Sequence, residues 1–378
     1  MNVHYISPSC LPSRTANSIH VVSQTRALAD AGAQVTLYAC RSVDEAALPS
    51  AIRREYGVDP SGIRLVTTPA ASGRAVTARI ALLGLRGVRR HGAPDLIIAR
   101  NLYAAFALAV LAGRPLIYEV HDIEGGVRGR MQRAILEQAH VRVVAISKKL
   151  EEFLRSAHRV TLPAMRVLHD AAPAGITPLA PADRRSRLVA LVPEAAGAWR
   201  GVCGYFGQLY TGRGIEIIEQ MAGDLADVMF LVFGGSDADV RDRRRSSRRN
   251  LLFPGHVPHQ QALELARCMD VLLMPYQARV SIGVDGRDTA RWMSPMKMFE
   301  YMAAGVPLIS SDLPVLREVL EDGVNSLLVA PADAAAWSAA ANRLFEEPEL
   351  AERISANAHA QYRERHTWQL RARALLAA

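Results

Sequence analysis

What most constrains this chain is a rhythm that plays twice. Short apolar runs alternate with longer stretches of helical spacing, which is the pattern of parallel strands wrapped by helices. In the first half the runs are Val3–Ser7, Val35–Ala39, Arg64–Thr67, Leu96–Ala99, Leu116–Val120 and Val141–Ile146, with a helical pattern at Ser18–Ala31 ended by Gly32. The rhythm breaks over residues 171–200, where Pro173, Pro178, Pro181 and Pro193 and a basic patch at Arg184, Arg185 and Arg187 read as a connection between domains. It resumes with Val202–Phe206, Val228–Phe233, Leu251–Phe253, Val271–Met274, Leu308–Ser310 and Ser326–Val329, and the last thirty residues are helical in pattern. At 378 residues the chain suits two α/β domains better than one core. In open parallel sheets ligands bind beyond the carboxyl ends of the strands, so chemistry is sought there.

Charge and cysteine usage bound the partners. A net charge of +8 favours anionic ligands such as phosphates or acidic lipid. Peripheral membrane contact is an option through Arg86, Arg89, Arg90, Arg128, Arg130 and Arg133. The run Arg241, Arg243, Arg244, Arg245, Arg248 and Arg249 reads first as a solvated face, and few aromatics accompany it, which argues against single-stranded nucleic acid. Cys10, Cys40, Cys203 and Cys268 lack metal-ligand spacing and read as free thiols of a reducing compartment. The N-terminus reads as a strand and not as a signal peptide, and no run approaches a membrane span, so a cytoplasmic protein is expected.

Three motifs carry candidate chemistry. Leu116–Val120 ends in His121-Asp122, which puts a histidine at a strand's carboxyl end, with Asp122 free to fix its tautomer or to cap the next helix. Gly207 to Gly214 reads as a strand, a glycine turn and a helix start, with Arg213 as a forked cation for phosphate. It fits neither the P-loop nor the dinucleotide fingerprint. In Ser294 to Gly305, Ser294 reads as a helix cap with Pro295 first in the helix. Lys297, one of only three lysines, then falls in an opening turn where the helix dipole disfavours a cation. It either pairs with Glu300 across the surface or meets an anion, and Glu300 either takes that partner or holds the hydroxyls of a ribose.

With these motifs in order along nearly its whole length, the chain resembles the retaining glycosyltransferases of family 4. The resemblance implies the GT-B fold, an α/β architecture of two Rossmann-like doubly wound domains facing a central cleft. It implies an acceptor domain at 1–170 with a terminal helix at about 363–378 crossing back from His366-Thr367-Trp368, a connection at 171–200, and a donor domain at 201–362. It implies transfer of a sugar from a nucleotide-diphosphate sugar to a glycan, lipid-linked or small-molecule hydroxyl, without cofactor or metal, in the cytoplasm or at the inner membrane face. His121 and Glu300 are the catalytic residues it suggests. Its donor contacts are Asn17, Ser18, Gly207, Arg213, His256, Val257, Lys297, Met298 and Glu300. Asn17 and Ser18 stand where the family has glycines, Gln208 where a second arginine is frequent, and Trp292 where an earlier glutamate is common. Two other readings are a sugar-nucleotide 2-epimerase and a weakened sugar-nucleotide-binding subunit.

Overall fold

A computed structural model describes residues 1–70, 74–161, 165–245, 248–281 and 288–377. The chain divides into two compact units, Met1–Asp170 with Trp368–Ala378, and Ala171–Thr367.

The first unit holds a seven-stranded sheet of β1 (Asn2–Leu11), β2 (Gln34–Arg41), β3 (Ile63–Pro69), β4 (Leu96–Ala99), β5 (Leu116–Val120), β6 (Val141–Ala145) and β7 (Arg166–Val167). Its order is β3-β2-β1-β4-β5-β6-β7 and every pairing is parallel. Helices α1 (Ala16–Asp30), α2 (Leu48–Tyr56), α3 (Arg74–Arg90), α4 (Leu102–Phe106), α5 (Gly126–Leu136) and α6 (Lys148–His158) make the crossovers. The chain reverses its direction of travel across the sheet between β1 and β4, and this topological switch point opens a crevice. All five residues of β5 are buried, because a central parallel strand is covered on both faces.

The second unit repeats the plan. Strands β8 (Gly201–Phe206), β9 (Val228–Phe233), β10 (Leu251–Gly255), β11 (Val271–Met274), β12 (Leu308–Ser311) and β13 (Leu327–Val329) lie in the parallel order β10-β9-β8-β11-β12-β13. The switch point falls between β8 and β11. Strand β9 shows why its sequence is apolar throughout: Met229, Leu231 and Phe233 join the core on one face, and Val228, Phe230 and Val232 the core on the other. The helices are α7 (Pro181–Leu191), α8 (Ile215–Asp224), α9 (Asp237–Arg244), α10 (His259–Ala266), α11 (Met296–Ala304), α12 (Ala334–Glu346) and α13 (Pro348–Arg365). After it α14 (Trp368–Leu376) belongs to the first unit.

Two local expectations change. The segment 171–200 is not an irregular strap, since it forms α7, with Pro181 near its start, and seats Leu188, Val192 and Ala195 in the second unit's core. Its arginines hid the helix, and they are used locally: Arg184 donates to the Gly305 carbonyl and Arg187 pairs with Glu264. The first residue of α11 is Met296, with Pro295 as its cap and no side-chain capping bond, so Ser294 is not the cap.

Candidate functional site

In the second unit the crevice between β8 and β11 gathers a cationic pocket. The chain leaves β8 at Gly207 and β11 at Pro275-Tyr276, and α11 begins beside them. Lys297 is half-buried as a residue, but its Nζ is fully buried and has no hydrogen-bond partner among the described residues. It lies 3.9 Å from the centre of the Tyr205 ring and 5.3 Å from that of Tyr276. The second cation is Arg213, whose guanidinium donates to the Tyr276 hydroxyl at 3.0 Å and sits 5.2 Å from that ring's centre. Burial pushes the Lys297 ammonium well below its usual range, Arg213 adds to the effect, and Glu300 opposes it. The turn needs its glycines for space. A Cβ on Gly207 would come within 2.5 Å of Lys297 Nζ, and one on Gly214 within 1.8 Å of the Pro275 carbonyl.

Glu300 lies one turn further along α11 and does not pair with Lys297. Its Oε1 accepts from His259 Nε2 at 2.7 Å. Of the remaining expected donor contacts, His256 and Val257 follow the end of β10 and are half-buried. Met298 is 1% exposed in the core, and its N–H is given to the Pro295 carbonyl, so it has nothing to offer a ligand. In the first unit, Ser18 is buried and bonded to the Cys10 carbonyl at 2.9 Å and to Ser13 at 2.6 Å, which makes it a structural residue. Asn17 is tied to Ser9 at 2.8 Å and to Arg100 at 2.7 Å.

His121 stands at the end of β5, but its partner is not Asp122, whose carboxylate accepts from the Ile123 N–H. The imidazole Nε2 donates instead to Glu119 Oε1 at 2.9 Å. Glu119 is 1% exposed and accepts from three further side chains: Tyr5 at 2.8 Å, His20 at 3.0 Å and Arg371 at 2.9 Å. Burial alone would raise its carboxyl, yet Arg371 and the bonds from the histidines hold it well below the usual carboxylate range. Burial, helped by Arg100, pushes His121 down to about 3. The ring is therefore neutral near pH 7, and its Nδ1 is a hydrogen-bond acceptor and not the donor a lone histidine suggests. The ligand atoms of His20, Glu119 and His121 lie within 4.8 Å of one another. The oxygen at their centre also carries the Arg371 guanidinium, which ties the cluster into one hydrogen-bonded network.

Sequence reasoning missed Glu119, His20, Arg371, His259 and the tyrosines Tyr5, Tyr205 and Tyr276. One signal was present: a lone carboxylate in the otherwise apolar strand LIYEV must find partners when the strand is buried.

The family described as Glycosyltransferase Family 4 matches residues 18–171, and that described as Glycosyl transferases group 1 matches residues 200–347. Together with the two Rossmann-like units, these matches define the class: the chain is a glycosyltransferase of the GT-B fold. Among individual proteins it is 21% identical to an alpha-D-kanosaminyltransferase of Streptomyces kanamyceticus over 72% of each chain. It is 31% identical to a phosphatidyl-myo-inositol mannosyltransferase of Mycobacterium leprae over 38% of this chain and 35% of that one. That match spans about a third of the mannosyltransferase. An Anabaena protein, HepE, solved in complex with UDP-glucose, has the same fold with a TM-score of 0.72 and 17% identity, over all of this chain and 98% of its own.

Proposed function

We propose that this protein is a metal-independent, retaining glycosyltransferase of family 4 that takes its sugar from a nucleoside diphosphate sugar. The observation that carries the reading is the buried ammonium of Lys297, without a hydrogen-bond partner among the described residues, beside Arg213 at the glycine turn. Two buried cations this close are costly, since Glu300 offsets only part of the effect, and a diphosphate lowers that cost. As the sugar–phosphate bond breaks, negative charge grows on the diphosphate, so both cations favour the transition state over the ground state. Glu300, braced by His259, accepts from the ribose hydroxyls. In the first unit the neutral His121 offers Nδ1 as an acceptor for a sugar hydroxyl. The complex of the Anabaena protein with UDP-glucose supports a sugar nucleotide as the donor class.

The test is thermal stabilisation by a panel of nucleoside diphosphates and their sugars, followed by transfer assays with and without EDTA. A ligand at 100 times its Kd adds about 2.7 kcal/mol. No stabilisation by any nucleoside diphosphate sinks the donor assignment, and activity lost to EDTA and restored by a divalent cation sinks metal independence. A glycan, lipid-linked or small-molecule hydroxyl is the acceptor. For a membrane-borne acceptor, the exposed Arg86, Arg89, Arg90 and Arg130 supply the basic surface, whereas Arg128 and Arg133 are paired with Glu124 and Glu137. Sedimentation with anionic vesicles at physiological salt separates the two classes of acceptor.

A further inference from the structure

The terminal helix α14 carries a cation that the proposed reaction does not use. Arg371 is 4% exposed and fully engaged within the first unit. Its guanidinium donates to Glu119 Oε1 at 2.9 Å, to Gln24 Oε1 at 2.6 Å and to the His169 carbonyl at 2.9 Å. Trp368, one turn earlier on α14, packs edge-on against the His20 ring at 4.9 Å. Both the reach and the orientation of the guanidinium are thus determined by neighbours on α1 and β5.

At the other end of this contact, Glu119 receives four donors, three of them (His20, His121 and Arg371) on Oε1 and one (Tyr5) on Oε2. A carboxylate this deeply buried must be neutralised by something. Two sources are at hand: the fixed charge of Arg371, or a proton taken up by one of the imidazoles bonded to Glu119. Arginine does not deprotonate in a protein, so its charge stays on Glu119 at every pH, while His20 bridges Glu119 to a second buried carboxylate, its Nδ1 lying 2.9 Å from Asp170 Oδ1.

We propose that Arg371 is a positioning residue for His121: its guanidinium, supplied by the last helix, neutralises Glu119 in place of a proton, so that Glu119 anchors His121 Nε2 while the ring stays neutral and its Nδ1 lone pair stays open. The charged or titratable groups around His121 and its anchor are Glu119 on β5, Arg100 after β4, His20 on α1, Tyr5 on β1, Asp170 after β7 and Arg371 on α14. Of these, Arg371 is the cation bonded directly to the anchoring carboxylate. The consequence for turnover rests on the proposed role of His121, but the protonation of the ring does not, and it is measured without substrate.

The experiment follows His121 by ring 15N signals in histidine-labelled protein, assigned with a His121→Gln variant, across a pH titration. In wild type the ring stays neutral well into the acid range. In Arg371→Met the titration midpoint of His121 rises by about one pH unit or more, and the acid limb of kcat moves the same way. Arg371→Lys, which keeps the charge, leaves the midpoint within about half a unit of wild type. Should Arg371→Met fail to fold, Arg371→Gln, which keeps a donor for Glu119, makes the same prediction. A purely structural arginine would lower the melting temperature in every variant without sorting the midpoints by charge. A folded, uncharged variant whose His121 midpoint is unchanged overturns the proposal. A shifted midpoint with an unchanged kcat profile upholds it and counts against the sugar-handling role of His121.

Discussion

Lys297 is the residue on which the proposed donor site turns, and its cost and use are separable by measurement. Its Nζ is buried without a hydrogen-bond partner among the described residues, and burial, reinforced by Arg213, holds its ammonium well below the usual lysine range. A depressed lysine contributes stability above its unfolded value of 10.5 and loses it as the pH falls, so near pH 7 it burdens the free protein. Lys297→Ala should leave the free protein equally or more stable in urea unfolding, and lower kcat/KM by about tenfold to a hundredfold. A less stable yet fully active variant would make Lys297 structural. A bound diphosphate raises the lysine's affinity for its proton, so binding takes up protons and tightens as pH falls. Calorimetry in buffers of different ionisation enthalpy measures that uptake. Glu300 makes the complementary case. Glu300→Gln keeps an acceptor for His259 but removes the charge offered to a diol, so donor affinity should drop by about 1–2 kcal/mol with an unchanged melting temperature. Unaltered donor KM and kcat would remove Glu300 from the site.

At the scale of elements, the glycine turn between β8 and α8 is a shape before it is a ligand site. Gly212 and Gly214 have φ of +84° and +76°, and a Cβ at either would meet a backbone carbonyl oxygen at 1.8 Å. The conformation and the closeness together exclude any other residue. Gly214→Ala should therefore destabilise the second unit by more than about 2 kcal/mol and weaken nucleotide binding by displacing Arg213 from Tyr276. Denaturant unfolding and the thermal shift with nucleotide check both parts, and a variant that binds normally would show that the turn tolerates a side chain. Helix α11 teaches a related lesson. Its start was legible to within one residue, with Met296 and not Pro295 first in the helix, and it ends at Gly305, which has φ +63°. Which of its faces is inside was not: Met298 went to the core, and Lys297 and Glu300 to the crevice.

For the whole molecule, the buried charges of the first unit predict acid lability. Burial lowers His121 to about 3, and Arg371 with the histidine bonds overcomes burial to hold Glu119 below the carboxylate range. Both values lie below those of the unfolded chain, so the unfolded state binds more protons and stability falls as the pH falls. The His121 part is fully present above 6.5 and declines from there towards 3, while the Glu119 part declines below the ordinary carboxylate value of 4.5. Stability should drop by about 1–2 kcal/mol between pH 6.5 and about 5, and His121→Gln should flatten that segment. Urea unfolding across this range is the measurement, and a flat wild-type profile would contradict the assignment.

The strand runs of both halves were readable from the sequence, several to the residue, because a parallel strand covered on both faces must be apolar throughout, as β9 is. His121, Arg213, Lys297 and Glu300 were readable as candidates because local signals mark strand ends and helix starts. Helix α7 was hidden by its arginines, which look like a solvated connection until their carbonyl and carboxylate partners are known. The pairings were set by tertiary structure alone. Arg371 lies 252 positions from Glu119, and His259 lies 41 from Glu300. Periodicity and caps report on neighbours along the chain, whereas a buried charge is defined by whatever the fold brings within 3 Å of it, and no local pattern in the sequence encodes that distance.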